Sequence, residues 1–278
     1  MVTRTAGVIG WPVTHSLSPV IHETWAQREG RAIRYERLAV EPDDAAFRDA
    51  IERLVREGWK GANVTLPHKE RALAIADEAS GEARAAGAAN MLTFSGRAIR
   101  ADNSDIIGFA QAVAEAGVKP SRALLLGAGG AARGVAIALE RRLGVKNIVV
   151  ANRTRARAED VARLCGGAVV DWEARADALD GADLLVNATS LGMAEHDPLD
   201  IDLTRLSPGA AVADIVYVPL ETPLLRAARA KGCTGIDGLA MLMHQAVPAY
   251  EAWLGATALV DAGLRARLEA ALRLRSNP

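Results

Sequence analysis

A short apolar run at 123–126 leads directly into a glycine-rich turn, and this junction restricts the possible folds more than any other feature of the chain. The turn reads Gly127-Ala128-Gly129-Gly130-Ala131 and continues into a stretch of small, helix-forming residues. Glycines let the backbone approach a pyrophosphate, and a helix N-terminus favours its negative charge. The glycine pattern alone also occurs in tight turns without a ligand. The complete order of strand, turn and helix predicts a dinucleotide-binding unit.

The residues after the next predicted strand indicate which dinucleotide binds. An NAD site usually has Asp or Glu there to hold the ribose 2′-hydroxyl. This chain instead has Asn152-Arg153-Thr154, followed by Arg155 and Arg157. A carboxylate ~4 Å from a 2′-phosphate would cost up to ~4 kcal/mol at an effective dielectric constant of ~20, whereas guanidinium groups pair with that phosphate. The alternative is that these arginines only solvate the start of a helix, but the helix dipole disfavours cations at that end. We therefore predict NADP rather than NAD.

Short apolar runs alternate with amphipathic stretches along the chain, which is typical of βαβ units and a parallel sheet. In the first hundred residues the pattern predicts strands at 6–10, 33–40, 60–64 and 89–94, with helices at 43–56 and 67–77. It then predicts a helix at 105–116 and strands at 123–126, 147–151, 168–170, 183–187 and 211–215. The tail from Gly238 is predicted to be helical, and Pro248 should kink or end its first helix.

Composition excludes several classes of protein. The net charge of -1 offers no electrostatic footprint for nucleic acid or an anionic membrane. No apolar run approaches the ~20 residues that span a bilayer, and the N-terminus does not have the pattern of a signal peptide. Cys165 and Cys233 lie far apart and predict free thiols in a reducing cytoplasm. His15 and His22 have no third ligand at zinc-like spacing, so we expect no metal.

Three polar segments of the first hundred residues are candidates for a site. Ser18, followed by a proline, is predicted to cap a helix, whereas Ser16 has no such role, and the two hydroxyls together suit a small anion. Lys69 falls in a predicted first helical turn, where the helix dipole disfavours a cation, although a surface lysine is the alternative. The polar residues from Asp102 to Asp105 precede a predicted helix, so capping of that helix accounts for them about as well as a role in a site does.

Taken together, these segments resemble the shikimate dehydrogenase family over essentially the whole chain. The matching stretches are His15-Ser16-Leu17-Ser18-Pro19, Asn63-Val64-Thr65-Leu66-Pro67-His68-Lys69, Gly87-Ala88-Ala89-Asn90, Asp102-Asn103-Ser104-Asp105 with Gly108-Phe109, Gly127-Ala128-Gly129-Gly130-Ala131, Asn152-Arg153-Thr154, Asn187-Ala188-Thr189-Ser190-Leu191-Gly192-Met193, Asp214-Ile215-Val216-Tyr217, and Gly238 through Gln245. The resemblance implies the NADP-linked, reversible interconversion of 3-dehydroshikimate and shikimate, a step towards chorismate and the aromatic amino acids. Only small-molecule partners are implied, with the protein a monomer or a homodimer.

The resemblance also implies an α/β fold of two domains, an N-terminal α/β substrate domain and a Rossmann-like, doubly wound NADP domain. Their expected bounds are 1–103 and 104–237, with helices at 238–278 returning to the substrate domain. It assigns Ser16, Ser18 and Tyr217 to the substrate carboxylate, and Thr65, Asn90 and Gln245 to the ring hydroxyls beside Lys69 and Asp105. The implied cofactor residues are Gly127, Ala128, Gly129, Gly130, Ala131, Asn152, Arg153, Thr154, Arg157, Ile215, Gly238 and Met241.

Lys69 and Asp105 are the catalytic candidates, because they alone among the matched residues combine an ammonium and a carboxylate suited to moving the proton of a hydroxyl. Which of them dominates stays open. The chain departs from the family pattern at Glu23, Met91 and Ser104, where Asn, Thr and Thr are usual. A relative that also accepts quinate, often with NAD, is the nearest alternative function. A non-catalytic NADP-binding sensor would be expected to have lost Lys69 or Asp105, and both are present.

Overall fold

Two α/β units make up the chain, and the computed structural model describes residues 3–194 and 196–276. The first unit holds the described residues up to Ser104 and those from Gln245 onward, and the second runs from Asp105 to His244. The chain divides after residues 104 and 244, whereas the predicted domain bounds were 103 and 237. The later division falls inside a helix, Gly238–Leu254, rather than at its start.

The first unit is built on a six-stranded sheet of order β2-β1-β3-β5-β6-β4. Its elements are β1 (Arg4–Gly10), α1 (Ser18–Arg28), β2 (Ile33–Ala39), α2 (Asp44–Arg56), β3 (Gly61–Val64), α3 (Lys69–Ala74), β4 (Glu78–Ala79), α4 (Gly81–Ala86), β5 (Met91–Ser95) and β6 (Ala98–Asp102). The second helix shows why such stretches fold as they do: Phe47, Ile51 and Leu54 share one buried face, and Asp43 caps its N-terminus through Ala46 N–H.

This sheet is mixed, and the prediction of a parallel sheet was wrong for part of it. The strands β3 and β5 pair antiparallel, as do β5 and β6. Only Gly96 and Arg97 separate β5 from β6, and so short a connection can join only antiparallel strands. Gly96 takes the positive φ of 60° that this turn requires. The sequence analysis missed β6 and the two-residue strand β4.

The second unit has a six-stranded, wholly parallel sheet of order β12-β11-β10-β7-β8-β9. Its elements are α5 (Asp105–Glu115), β7 (Arg122–Leu126), α6 (Gly130–Ile137), β8 (Asn147–Ala151), α7 (Arg155–Cys165), β9 (Ala168–Val170), β10 (Leu184–Asn187), β11 (Ala211–Asp214), α8 (Pro223–Ala230), β12 (Thr234–Asp237) and α9 (Gly238–Leu254). This is the doubly wound Rossmann order, and it confirms the predicted fold class. The sequence analysis missed β12.

Helix ends account for the remaining differences from the predictions. Ser18 is the first residue of α1 rather than its cap, because the N-cap position is Leu17, which makes no side-chain capping hydrogen bond. The Ser18 N–H donates to Ser16 Oγ at 3.3 Å. The helix predicted at 67–77 is only α3, because Asp77 pairs with the backbone of Ile99. Pro248 lies inside α9 without ending it. A last helix, α10 (Ala262–Ser276), completes the first unit.

No helix within the described ranges has both the length and the apolar character needed to cross a membrane.

Aromatic side chains of the first unit pack around a buried histidine. The His22 ring stacks on Tyr35 with centroids 4.3 Å apart, and lies 5.7 Å from the Trp253 ring and 5.9 Å from that of Trp25. Neither ring nitrogen has a hydrogen-bond partner among the described residues. Burial lowers the pKa of His22 to about 3, and the nearby Asn63 side chain offsets this only in part. His22 is therefore neutral in the folded protein at ordinary pH.

We expect His22 to make the protein sensitive to acid. Its pKa is lowered on folding, so between pH 6.5 and 3 the unfolded chain binds a proton that the folded chain does not. Stability from this group is complete above pH 6.5 and falls as the pH decreases, by about 2 kcal/mol between pH 6.5 and 5. Urea unfolding of a His22→Phe variant at both pH values should lack this loss. The control variant His196→Gln, at an exposed histidine, should still lose this stability at pH 5. If His22→Phe lost as much stability between the two pH values as the wild type, His22 would not be the group responsible.

Candidate active site

Two serine hydroxyls stand where the chain enters α1. Ser18 is buried, Ser16 is half-buried, and their hydroxyl oxygens lie 3.2 Å apart. Arg37 of β2 donates from Nε and Nη2 to the Ser16 carbonyl oxygen at 2.9 and 2.8 Å. The predicted pairing of the two hydroxyls is thus present, and Ser16 Oγ also accepts the Ser18 N–H at the start of α1. Glu23, the departure expected to add charge nearby, is exposed on α1.

Thr65 and Lys69 flank the turn between β3 and α3. The Thr65 N–H donates to the Ile9 carbonyl at 2.8 Å, which ties the end of β3 to β1. Lys69 is half-buried at the first position of α3, and its carbonyl accepts the Ala89 N–H at 2.8 Å. His68 anchors the turn, since its ring nitrogen Nε2 lies 2.8 Å from the Val40 carbonyl and the ring stacks on Phe47. Lys69 therefore starts from a fixed stretch of backbone.

Asn90 and Gln245, which lie 155 positions apart, meet in a buried amide network of the first unit. Asn90 Nδ2 donates to Gln245 Oε1 at 3.4 Å, and Asn90 Oδ1 accepts the Ser104 N–H at 2.7 Å. A backbone N–H can only donate, so this contact identifies the atom facing Ser104 as the amide oxygen. The Ser104 hydroxyl lies 3.1 Å from Asn90 Oδ1 and 3.4 Å from Gln245 Oε1. The departure from Thr to Ser keeps this hydroxyl.

The sequence analysis missed two members of the same network. Tyr35 donates its hydroxyl to Asn63 Oδ1 at 2.6 Å, and Asn63 Nδ2 donates to the Asn90 carbonyl at 3.4 Å. All three side chains are buried. An asparagine inside the otherwise apolar strand Gly61–Val64 was the available signal for Asn63. Tyr35 carried none, because an aromatic residue in a strand usually serves packing.

Two residues assigned to the substrate by the resemblance belong to the second unit. Asp105 is the first residue of α5 and only 5% exposed, directly after Ser104 in the chain. Tyr217 follows β11 and is half-buried. The structure brings Ser16, Ser18, Thr65, Lys69, Asn90 and Gln245 into the first unit.

The glycine-rich turn of the second unit lies at the carboxyl end of β7, beside β10. Gly127 has a φ of 109°, and a Cβ on it would lie 2.7 Å from the Ala188 carbonyl oxygen. Gly129 is the N-cap of α6 with no side-chain cap, and a Cβ there would meet nothing within 4 Å. The space that such a Cβ would occupy, at the start of α6, is therefore open. The position is the point where the strand order reverses, at which such sheets bind ligands.

The basic segment after β8 also has a defined arrangement. Asn152 Nδ2 donates to the Thr154 carbonyl at 3.0 Å, and Thr154 is the N-cap of α7. Arg155 pairs with Asp171 and Glu159, which draws its guanidinium away from an incoming anion. Arg153 and Arg157 are exposed, and neither forms an ion pair with any residue in the described part of the chain.

A buried carboxylate supports the loops beyond β10 and β11. Asp214 accepts hydrogen bonds from Asn187 Nδ2, the Val216 N–H and Thr222 Oγ1 at 2.9, 3.1 and 2.7 Å. Burial raises the pKa of Asp214 to about 6, and the three donors offset this in part. Ile215 follows directly, and a Cβ on Gly238 would lie 2.3 Å from the Ile215 carbonyl oxygen. Met241, one turn along α9, is buried. Neither Asp214 nor Asn187 was predicted to have a role of this kind.

These residues fit an NADP molecule. Open space over Gly129 suits a pyrophosphate at the start of α6, and the cations Arg153 and Arg157 suit a 2′-phosphate. No carboxylate stands at the end of β8, where the 2′-hydroxyl of NAD would be held.

Two glycines of the turn should respond differently to alanine. Gly127→Ala is expected to destabilise the protein by about 1–3 kcal/mol, because its φ is positive and the methyl group meets a carbonyl oxygen. Gly129→Ala should destabilise the protein by less than about 1 kcal/mol, the usual cost of alanine at an N-cap, and raise the KM for NADP about tenfold, since its methyl group enters the space for the pyrophosphate. Urea unfolding and steady-state kinetics measure both. Equal effects on stability, or no change in KM, would refute this distinction.

Comparison with known proteins gives a consistent result. Residues 8–92 match the family "Shikimate dehydrogenase substrate binding domain", and residues 109–195 match "Shikimate / quinate 5-dehydrogenase". The NADP(+) shikimate dehydrogenase of Acidiphilium cryptum is 51% identical over 94% of both chains.

Two solved structures cover nearly the whole chain. Shikimate 5-dehydrogenase of Thermus thermophilus, in complex with NADP(H) and shikimate, has a TM-score of 0.85 at 35% identity and covers 97% of this chain and 98% of its own. A quinate dehydrogenase of Corynebacterium glutamicum in complex with NAD has a TM-score of 0.88 at 31% identity and covers 96% and 99%. The turn, the basic segment and the amide network thus occur in a chain that belongs to the shikimate dehydrogenase family.

Proposed function

We propose that this protein catalyses the NADP-dependent, reversible reduction of 3-dehydroshikimate to shikimate, in the pathway to chorismate and the aromatic amino acids. The main support for this proposal is a set of polar groups in the first unit. The first unit gathers paired serine hydroxyls, a half-buried lysine at a helix start and a buried Asn–Gln amide pair. These are the groups that a small carboxylate with several ring hydroxyls requires. The function of the curated relatives agrees with this reading.

Each group has a proposed task in binding. Ser16 and Ser18 donate hydrogen bonds to the substrate carboxylate, with Tyr217 as a further donor. Thr65, Asn90 and Gln245 bind the ring hydroxyls. Asn90 Oδ1 accepts the Ser104 N–H, and Gln245 Oε1 lies within hydrogen-bond distance of Asn90 Nδ2 and of the Ser104 hydroxyl. Because the two amide oxygens accept hydrogen bonds within this network, we propose that the amide N–H groups donate to the substrate oxygens.

Proton transfer is assigned to Lys69 and Asp105. When bound, the reduced cofactor supplies a hydride to the C3 carbon, and the oxidised form accepts one. In reduction, the Lys69 ammonium donates a proton to the C3 oxygen as negative charge develops there, and in oxidation Lys69 takes that proton back. Asp105 accepts a hydrogen bond from the C3 hydroxyl and orients it.

Cofactor binding is assigned to the second unit. The turn Gly127–Ala131 receives the pyrophosphate. Asn152, Arg153, Thr154 and Arg157 form the adenosine end, and Arg153 and Arg157 bind the 2′-phosphate. Ile215, Gly238 and Met241 are proposed to lie against the nicotinamide. The free, buried thiols of Cys165 and Cys233 suit a cytoplasmic enzyme.

One assay tests the proposal and its alternatives together. The purified protein is given NADP⁺ or NAD⁺ with shikimate or quinate, and the absorbance of the reduced nicotinamide is followed. We expect the highest kcat/KM with NADP⁺ and shikimate. Faster turnover of quinate with NAD⁺ would favour the broader quinate/shikimate activity instead. Binding of NADP without turnover of either substrate would favour a non-catalytic sensor.

A further inference from the structure

Arg37 is a charged residue beside the serine pair that neither the family resemblance nor the proposed mechanism uses. Its Nε and Nη2 atoms both donate to the carbonyl oxygen of Ser16, at 2.9 and 2.8 Å. The carbonyl oxygen and the hydroxyl of one serine are at most about 4–5 Å apart by covalent geometry. The guanidinium group therefore lies within roughly 8 Å of the Ser16 hydroxyl.

The position of Arg37 on its strand explains why it reaches this loop. Side chains alternate along β2, so Arg37 shares a face with Tyr35, and Arg34 and Glu36 lie on the other face. Tyr35 is stacked on His22 of α1, which identifies this face as the one that α1 covers. Arg34 forms an ion pair with Glu36 on the opposite face. Arg37 is thus the cation of β2 that faces the entrance to α1.

The electrostatic influence of Arg37 extends into the buried network. Burial raises the pKa of Tyr35, and the Ser18 hydroxyl and the Arg37 cation each oppose that increase. Ser18 and Tyr35 are both buried. Arg37 itself is exposed, so an anion held by the two serine hydroxyls would experience its positive charge through partly solvated surroundings, where salt weakens the attraction.

We propose that Arg37 is a positioning residue for the substrate carboxylate. It holds the Ser16 backbone in place and adds a positive charge where the two serines supply only neutral hydroxyls. This proposal rests on the assignment of Ser16 and Ser18 to the carboxylate. A unit charge about 7–8 Å away in partly solvated surroundings changes binding about three- to tenfold.

The test compares charge and hydrogen bonding at position 37. KM and kcat for shikimate with NADP⁺ are measured at 0.05 M and 0.5 M salt for the wild type, Arg37→Gln, Arg37→Lys and the same-strand control Arg34→Gln. We expect Arg37→Gln to raise the KM about fivefold at low salt, with kcat changed less than about twofold, and the difference to shrink at high salt. Arg37→Lys should keep most of the affinity, and Arg34→Gln should behave as the wild type.

A second substrate separates the charge from a purely structural role. Methyl shikimate has no carboxylate charge, and its inhibition constant against shikimate is measurable whether or not it is turned over. Arg37→Gln should raise that constant by a clearly smaller factor than it raises the KM for shikimate, because only the acid loses the attraction between charges. Equal weakening of acid and ester, or a KM increase independent of salt, would overturn the proposal. If the wild type does not turn over shikimate, the proposed function itself fails. If it does and Arg37→Gln matches Arg34→Gln, only the role of Arg37 fails.

Discussion

Replacing Lys69 by alanine is expected to lower kcat by a factor of about 10² or more while leaving NADP binding intact. That factor corresponds to about 2.7 kcal/mol of lost transition-state stabilisation. Lys69 lies at the first position of α3, held by the Ala89 N–H through its own carbonyl and next to the anchored His68. Truncation therefore removes the ammonium group without disturbing the backbone that carries it.

Three measurements make the result interpretable. Steady-state kinetics with shikimate and NADP⁺ give kcat and KM, cofactor fluorescence gives the affinity for NADPH, and urea unfolding gives the stability. Lys60→Ala is a matched control, because Lys60 is an exposed lysine just before β3 in the same unit. The control should retain full activity. Near-normal turnover of Lys69→Ala would remove Lys69 from the mechanism.

The double substitution Arg153→Ala and Arg157→Ala is expected to raise the KM for NADP about 50–100-fold and to leave the KM for NAD within about twofold. Each arginine contributes a charge-assisted hydrogen bond to the 2′-phosphate, which NAD lacks. Arg155 is not expected to compensate, because Asp171 and Glu159 already engage its guanidinium. The ratio of kcat/KM for the two cofactors is the quantity that should change.

The control for this experiment is Arg163→Ala. Arg163 lies on the same helix α7 but in its last turn, where it pairs with Asp160, so the variant loses one arginine charge far from the helix start. Its cofactor preference should be unaltered. An equal loss of NADP and NAD affinity in the double variant would show that the two arginines support the fold of the segment and do not select the phosphate.

The second unit was the easier one to predict. The strands at Asn147–Ala151 and Ala168–Val170 have the predicted bounds, because buried parallel strands form short continuous apolar runs. The hairpin from β5 to β6 was missed, since its signal is a single Gly96 between two modest strands. Ser18 was predicted to cap α1 but is its first residue, with Leu17 at the N-cap position, because a one-residue shift in helix start is invisible in composition.

Local sequence determined the elements, the glycine turn at Gly127 and the basic segment around Arg153, because each depends on residues adjacent in the chain. Only the tertiary structure could show that Gln245 meets Asn90 and Ser104, that Tyr35 holds Asn63, and that Arg37 reaches Ser16. These contacts join segments between 21 and 155 positions apart. Hydrogen bonds over such separations depend on strand order and packing, and periodicity along one segment carries no information about them.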